Sequence, residues 1–159
     1  MANFSAPVLY NAVTTAFKTA GFLWTVTNRS QIYEIEMSQY GTYASTDAPM
    51  IWDLSRGLTA TLAGSTVAAN AYDLGDTTVS SALFINAATA EFTPTTAGNG
   101  LSLKQWAPNQ RGSYRWRALD DGDNIILPAT AGAGVGLRVA SISSGFEASA
   151  VRNISFDTR

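Results

Sequence analysis

The chain has 159 residues, enough for one domain with a core, and 46% of them are apolar while only 14% are charged, against about a quarter in typical soluble domains. The net charge of −2 favours neither nucleic acid nor an anionic membrane surface as a partner. Without cysteine or histidine, the chain can form no disulfide, no thiolate or imidazole metal site, and no Ser-His-Asp or Cys-His catalytic centre.

The first 20 residues are apolar in parts but precede the first convincing strand pattern. Their large apolar side chains, among them Phe4, Tyr10 and Phe17, need a neighbouring surface to cover them. Residues 11–20 are also a candidate for about two turns of helix, although β-branched residues such as Val13 weaken it. The sequence therefore predicts an N-terminal arm or docking segment over residues 1–20 and a single β-sandwich domain over residues 21–159.

Short runs rich in β-branched and aromatic residues, separated by Gly, Asn, Asp or Pro, predict β-strands. These runs are residues 22–27, 32–37, 49–54, 113–119, 124–128, 136–142 and 146–156, with weaker candidates at residues 58–62 and 90–93. Residues 73–83 are a candidate for one further helical turn, with Asp76 as its cap. About eight short strands at this spacing indicate an all-β, antiparallel β-sandwich, with the jelly roll as the first choice.

One predicted strand alternates regularly, which places Tyr33, Ile35 and Met37 on one face and Glu34 and Glu36 on the other. Two strand rises separate the glutamates by about 6–7 Å, a spacing that paired-carboxylate glycosidases also use. A buried face opposite a solvated one produces the same pattern and is the simpler interpretation. We therefore predict no catalytic residue.

The last predicted strand alternates in the same way. Its even-numbered positions, including Ile154 and Phe156, are mostly apolar, and its odd-numbered positions, including Ser155, are mostly polar. We expect the even positions to face the core and the odd positions to face water.

Two loops look like ligand sites but lack the residues that such sites need. Residues 120–124 resemble the start of a calcium loop, but the twelfth position, residue 131, is alanine instead of glutamate. Residues 132–136 are glycine-rich like a phosphate loop, but they contain no lysine and a strand follows them. We expect a tight turn at the first loop, a close approach of two backbones at the second, and neither a metal nor a cofactor.

Arg115 and Arg117 alternate with Tyr114 and Trp116. The arginines and the aromatic residues therefore lie on opposite faces, whereas a nucleic-acid platform needs both on one surface. The two arginines fit a rim contact to an acidic protein partner, and two solvated arginines are the simpler alternative.

The order of motifs along two thirds of the chain, residues 32–145, is similar to that of small virion proteins of tailed bacteriophages. The resemblance rests on Ile32-Tyr33-Glu34-Ile35, residues 51–56, Asn109-Gln110-Arg111, Tyr114-Arg115-Trp116, residues 123–130, residues 134–137 and Ser144-Gly145. It implies a capsid decoration, or cement, protein that is made in the host cytoplasm and sits on the capsid exterior of the virion. It further implies a jelly-roll body, a homotrimer, and the major capsid protein as partner.

Interface cores are rich in aromatic residues and poor in charged ones, which suits this composition. The candidate interface residues are Phe4, Tyr10, Phe17, Tyr40, Tyr43, Arg115 and Arg117.

Two other classes of function stay open. One is a head-fibre or tail-fibre recognition module that binds a glycan or protein on the host surface, which an exposed aromatic cluster in a groove would favour. The other is a glycan-active enzyme. An apolar face around a threefold axis would instead favour the shell subunit.

Overall fold

The computed structural model describes residues 2–10, 13–25, 29–42, 47–58, 63–76, 82–92, 94, 102–120, 122–127, 129, 133–142 and 147–158. In these ranges it has strands β1 Ala2–Tyr10, β2 Lys18–Thr25, β3 Ser30–Thr42, β4 Met50–Leu58, β5 Ala63–Ala68, β6 Asn70–Ala71, β7 Ala82–Ala90, β8 Lys104–Trp106, β9 Tyr114–Arg117, β10 Ile125–Leu127, β11 Ala133–Ser141 and β12 Glu147–Thr158. No helix occurs in the described part of the chain.

The strands form two antiparallel sheets of six strands each. Sheet A has the order β10-β3-β12-β1-β6, with β9 also paired to β3, and sheet B has the order β5-β7-β2-β11-β4-β8. One continuous core joins the two sheets, with Phe4, Ile35 and Ile154 from sheet A and Trp52 and Leu137 from sheet B. The predicted all-β antiparallel sandwich is therefore confirmed, while jelly-roll connectivity stays a prediction.

The N-terminal segment belongs to the sandwich. β1 pairs along its whole length with β12 and at Phe4 and Ser5 with β6. Phe4 is 1% exposed and its ring stacks on Phe156 at a centroid distance of 5.6 Å. Residues 2–10 are thus an interior strand and not an arm, and Phe4 contributes to the core and not to an interface.

Neither predicted helical turn occurs in the described residues of its segment, while residues 11–12 of the first and 77–81 of the second lie outside the described part. β2 already begins at Lys18, and residues 13–17, which include three β-branched side chains, contain no helical turn. Residues 73–76 form a turn in which the Asp73 carboxylate accepts a hydrogen bond from the Gly75 amide at 2.8 Å. The Asp76 amide donates to the Asp73 carbonyl and closes this turn, and the residues that Asp76 was predicted to cap lie outside the described part.

A bulge in β3 changes which side chains face the core. Ser155 lies opposite Glu34 and Phe156 lies opposite Ile32, so Tyr33 is the extra residue. Ile32 and Ile35 are both fully buried although they are three positions apart. The prediction that Tyr33 shares a face with Ile35 was therefore wrong, and Tyr33 lies on the outer face of sheet A.

The last strand follows the predicted alternation only in part. Ile154 and Phe156 are buried in the core, as expected, but Ser155 is also buried, at 1% exposure. The Tyr72 hydroxyl lies 3.0 Å from the Ser155 hydroxyl and covers it from the outer side of sheet A. Ser155 is therefore shielded from water although it faces away from the core.

The glycines of β11 accommodate an aromatic ring on the outer face of sheet B. Phe92 is 2% exposed and lies against both Gly136 and Gly57, where a Cβ atom would overlap its ring. Its ring centroid is 5.2 Å from that of Phe22. The predicted close backbone approach does occur at Gly134, where a Cβ would collide with the Leu23 carbonyl oxygen, but at Gly136 the neighbour is a side chain.

Candidate binding groove on sheet A

An open polar groove of about 410 Å³ runs across the outer face of sheet A. We call it the sheet A groove. Its lining residues are Asn3, Tyr33, Arg117, Ala118, Leu119, Asp120, Asn124 and Asp157. They come from β1, β3, β9, β12 and the connection between β9 and β10, so the groove exists only where these distant segments meet.

Backbone hydrogen bonds hold the two sides of the groove in place. On one side, the Ala118 amide donates to the Tyr33 carbonyl at 2.8 Å, which sets Leu119 beside β3. On the other side, the Tyr72 amide donates to the Asn3 carbonyl at 2.9 Å. Tyr72 and Leu119 therefore flank Tyr33 on opposite sides, and their side chains are 58% and 92% exposed.

The side chains of Tyr33 and Tyr72 both lie within hydrogen-bonding distance of the Ser155 hydroxyl. Burial is the main cause that raises the pKa of Tyr33, and the neighbouring Tyr72 adds to it, while a hydrogen bond with Ser155 acts in the opposite direction. The phenol of Tyr33 consequently stays protonated at neutral pH and can donate a hydrogen bond into the groove.

On the β10 side of the groove, the Asn124 side-chain amide donates a hydrogen bond to the Gln31 side-chain oxygen at 3.0 Å.

The arginines that the sequence offered for an acidic partner are paired within the chain. Arg115 Nη2 lies 2.5 Å from Glu34 Oε2, and its Nε lies 3.6 Å from Glu36 Oε1. Arg117 Nε lies 3.9 Å from the same Glu34 oxygen. Glu34 is only 8% exposed beneath them, so the prediction of two solvated glutamates was wrong for Glu34.

Among the other candidate interface residues, the structure describes the side chain of Phe17, which lies on a different sheet from the two arginines. Phe17 precedes β2 of sheet B, and the Arg138 guanidinium lies 4.8 Å from its ring centroid, whereas Arg115 and Arg117 belong to sheet A. Tyr10 and Tyr40 occupy strands β1 and β3, but their side chains lie outside the described part, as does the whole of Tyr43.

A second polar cluster lies on sheet B around the carboxylate of Asp53. Asp53 is fully buried. Burial alone would raise its pKa, but hydrogen bonds from its neighbours outweigh burial and lower the pKa. The donors are Ser102, Ser55, Gln105 and Arg138. The donors Ser102 and Gln105 thereby fasten strand β8 and the residues just before it to sheet B.

The turn at residues 120–123 has the predicted form. The Asp120 carboxylate accepts hydrogen bonds from the amides of Gly122 at 2.8 Å and Asp123 at 3.2 Å. Among the described residues, no group of three or more carboxylates stands ready to hold a metal ion. Within the same residues, no helix is long and apolar enough to cross a membrane.

Of the residues that line the groove, only Arg117 was a predicted interface residue; Asn3, Asn124 and Asp157 were missed, as was Tyr72 beside the groove. Asn3 and Tyr72 come from segments without a recognisable strand pattern, and the β3 bulge that exposes Tyr33 leaves no mark in an alternating sequence. The clustered turn residues after Tyr72 were a usable signal for a chain reversal there.

Comparison of the chain with protein-family models, with curated proteins and with solved structures finds no match.

Proposed function

We propose that this chain is a structural virion protein, a capsid decoration subunit that binds the outer surface of a phage head by protein–protein contact and stabilises it. The proposal starts from the resemblance to small virion proteins of tailed bacteriophages. In the proposed role, the chain is a homotrimer without catalytic activity. It binds the major capsid protein on the exterior of the capsid.

The observation that supports docking is a set of exposed apolar side chains on the segments that flank the sheet A groove, with Leu74 in the turn that follows Tyr72. Leu74 and Leu119 are almost fully exposed, and Tyr72 is more than half exposed. Large apolar residues exposed this fully gain free energy when a partner covers them, and interface cores combine such residues with few charges. The sheet A groove, which lies between Tyr72 and Leu119, is lined by polar side chains that can form hydrogen bonds with the same partner.

A binding assay with heads that lack the subunit tests this proposal. Leu74→Ser and Leu119→Ser should each weaken head binding about tenfold or more, because each removes an apolar contact from the docking surface. Ile142→Ser is the matched control, since Ile142 is also exposed but follows β11 of sheet B. The sedimentation mass of the free protein should correspond to a trimer.

Unchanged head binding in both leucine variants would remove this surface from the proposal. A protein that sediments as a monomer at high concentration and does not bind heads would contradict the decoration role altogether.

One observation favours the recognition module as a second candidate. Tyr33 and Tyr72 lie side by side at a groove that also presents the side chains of Asn3 and Asn124. Aromatic rings combined with amide and hydroxyl groups suit a sugar ring, which has apolar faces and polar edges. In a glycan-array experiment, this function predicts binding that Tyr72→Ala abolishes and Leu74→Ser leaves intact.

A further inference from the structure

Two arginines line a second depression, at the β10 edge of the sandwich. The depression has a volume of about 520 Å³ and is lined by Arg29, Arg56, Ile126 and Ala129. Arg29 directly precedes β3 of sheet A, and Arg56 belongs to β4 of sheet B. The two sheets therefore each contribute one guanidinium to the same surface feature.

Most other described cations already have a partner inside the chain. Arg111 pairs with Asp47, Arg115 and Arg117 pair with Glu34, Arg138 pairs with Asp53, Lys18 pairs with Glu91, and Lys104 lies over the Trp116 ring. In the part of the chain that the structure describes, neither Arg29 nor Arg56 pairs with a carboxylate. Two positive charges without a carboxylate partner among the described residues thus meet in one place on a chain whose net charge is −2.

One of the two guanidiniums is held in position. Arg56 Nη1 donates a hydrogen bond to the Ile126 carbonyl at 3.1 Å, and Ile126 belongs to β10, the edge strand of sheet A. A guanidinium has five N–H donors, so the remaining donors of Arg56 can still bind an external group. Since this contact fixes the side chain in advance, less conformational entropy is lost on binding.

We propose that Arg29 and Arg56 form a binding site for an acidic side chain of a partner protein. Guanidinium groups bind carboxylates through paired, charge-assisted hydrogen bonds, and a carboxylate between the two arginines would offset their mutual repulsion. Ile126 and Ala129 add apolar contacts for the methylene groups or neighbouring residues of a polypeptide. This inference deepens the proposed docking function and rests on it. The sequence predicted a contact between an acidic partner and Arg115 and Arg117, but those two arginines bind Glu34 of the same chain. We assign the contact to Arg29 and Arg56 instead.

The direct test is isothermal titration of the purified protein with a synthetic hexaglutamate peptide at low ionic strength, where charge attraction is least screened. We expect Arg29→Gln and Arg56→Gln each to weaken peptide binding about tenfold. Lys104→Gln removes the same charge at a different site and should change binding less than about twofold. Arg29→Lys should retain part of the affinity, because lysine keeps the charge but not the paired donors.

Three results would overturn the inference: no peptide binding by the unchanged protein, equal weakening in Lys104→Gln, or inorganic phosphate binding as tightly as the peptide. Equal weakening would indicate general charge attraction, and tight phosphate binding would indicate a simple anion site.

The head-binding assay separates this inference from the proposed function. If the Arg29→Gln/Arg56→Gln double variant loses the peptide but binds heads normally, the acidic site stands and the head contact lies elsewhere. If the unchanged protein binds the peptide but no heads, the decoration role fails alone.

Discussion

The ring of Phe92 lies directly against the α-carbon of Gly136, at a distance that leaves no room for a Cβ atom. Phe92 is buried there on the outer face of sheet B, and its ring packs against Phe22. The segment after β7 is thus held on the sheet by an aromatic side chain that only a glycine admits.

Gly136→Ala should consequently destabilise the protein by about 1–3 kcal/mol, because the added methyl group forces Phe92 out of its position. Urea denaturation measures the change in the free energy of unfolding. Gly112→Ala is the matched control: at Gly112 a Cβ would lie 3.6 Å from the Asn109 carbonyl oxygen, an ordinary contact. Equal stability of the two variants would contradict the packing described for Phe92.

Ile154→Asp should abolish folding, since it places an unpaired charge in the core between the two sheets. Ile154→Val keeps the site apolar and should cost only about 1 kcal/mol. Ser155→Ala, at the neighbouring position, should also cost about 1 kcal/mol, because it removes the hydrogen bond with Tyr72. Circular dichroism during thermal unfolding measures all three, and a folded Ile154→Asp protein would show that the assignment of faces along β12 is wrong.

Asp53→Asn should destabilise the protein by about 2–3 kcal/mol. It leaves Arg138, whose side chain is 19% exposed, without its carboxylate, and this residual exposure keeps the loss below that of a fully buried pair. Asp47→Asn breaks the exposed pair with Arg111 instead and should change the free energy of unfolding by less than about 1 kcal/mol.

Asp53 should also contribute to acid unfolding. Folding lowers its pKa below the ordinary value of 3.8, so its contribution is present above that pH and is lost as the pH falls through the folded-state pKa. The acid limb of the stability curve should therefore be shallower in Asp53→Asn. A limb identical to that of the unchanged protein would assign acid unfolding to other carboxyl groups.

Tyr33 should act at the alkaline end of the same curve. Folding raises its pKa above the ordinary value of 10.0, so the neutral phenol contributes stability below that pH, and the contribution is lost as the pH rises through the folded-state pKa. Absorbance at the phenolate band should contain a late-titrating component from Tyr33, and this component should be missing in Tyr33→Phe. Its persistence in that variant would assign the late titration to a different tyrosine.

Much of the fold was determined by sequence patterns that act locally. Alternating apolar residues, as in β9 and β11, predicted strands, and Asp120 with its following glycine predicted a turn, because strand pleat and turn geometry depend on neighbouring residues. The absence of histidine and cysteine likewise excludes whole classes of chemistry, because no fold can supply a side chain that the chain lacks.

Only the tertiary structure decided which side chains are exposed on the outer faces of the two sheets and which are paired or covered there. The bulge at Tyr33, the place of β1 between β12 and β6, and the pairing of Arg115 with Glu34 all depend on strands distant in sequence. The alternation of apolar and polar residues along a strand assigns each side chain to one of the two faces of the sheet. It does not predict where a bulge occurs or which residues cover a face. For that reason Arg115 looked available in the sequence, whereas it is the folded arrangement that leaves Arg29 and Arg56 without a carboxylate among the described residues.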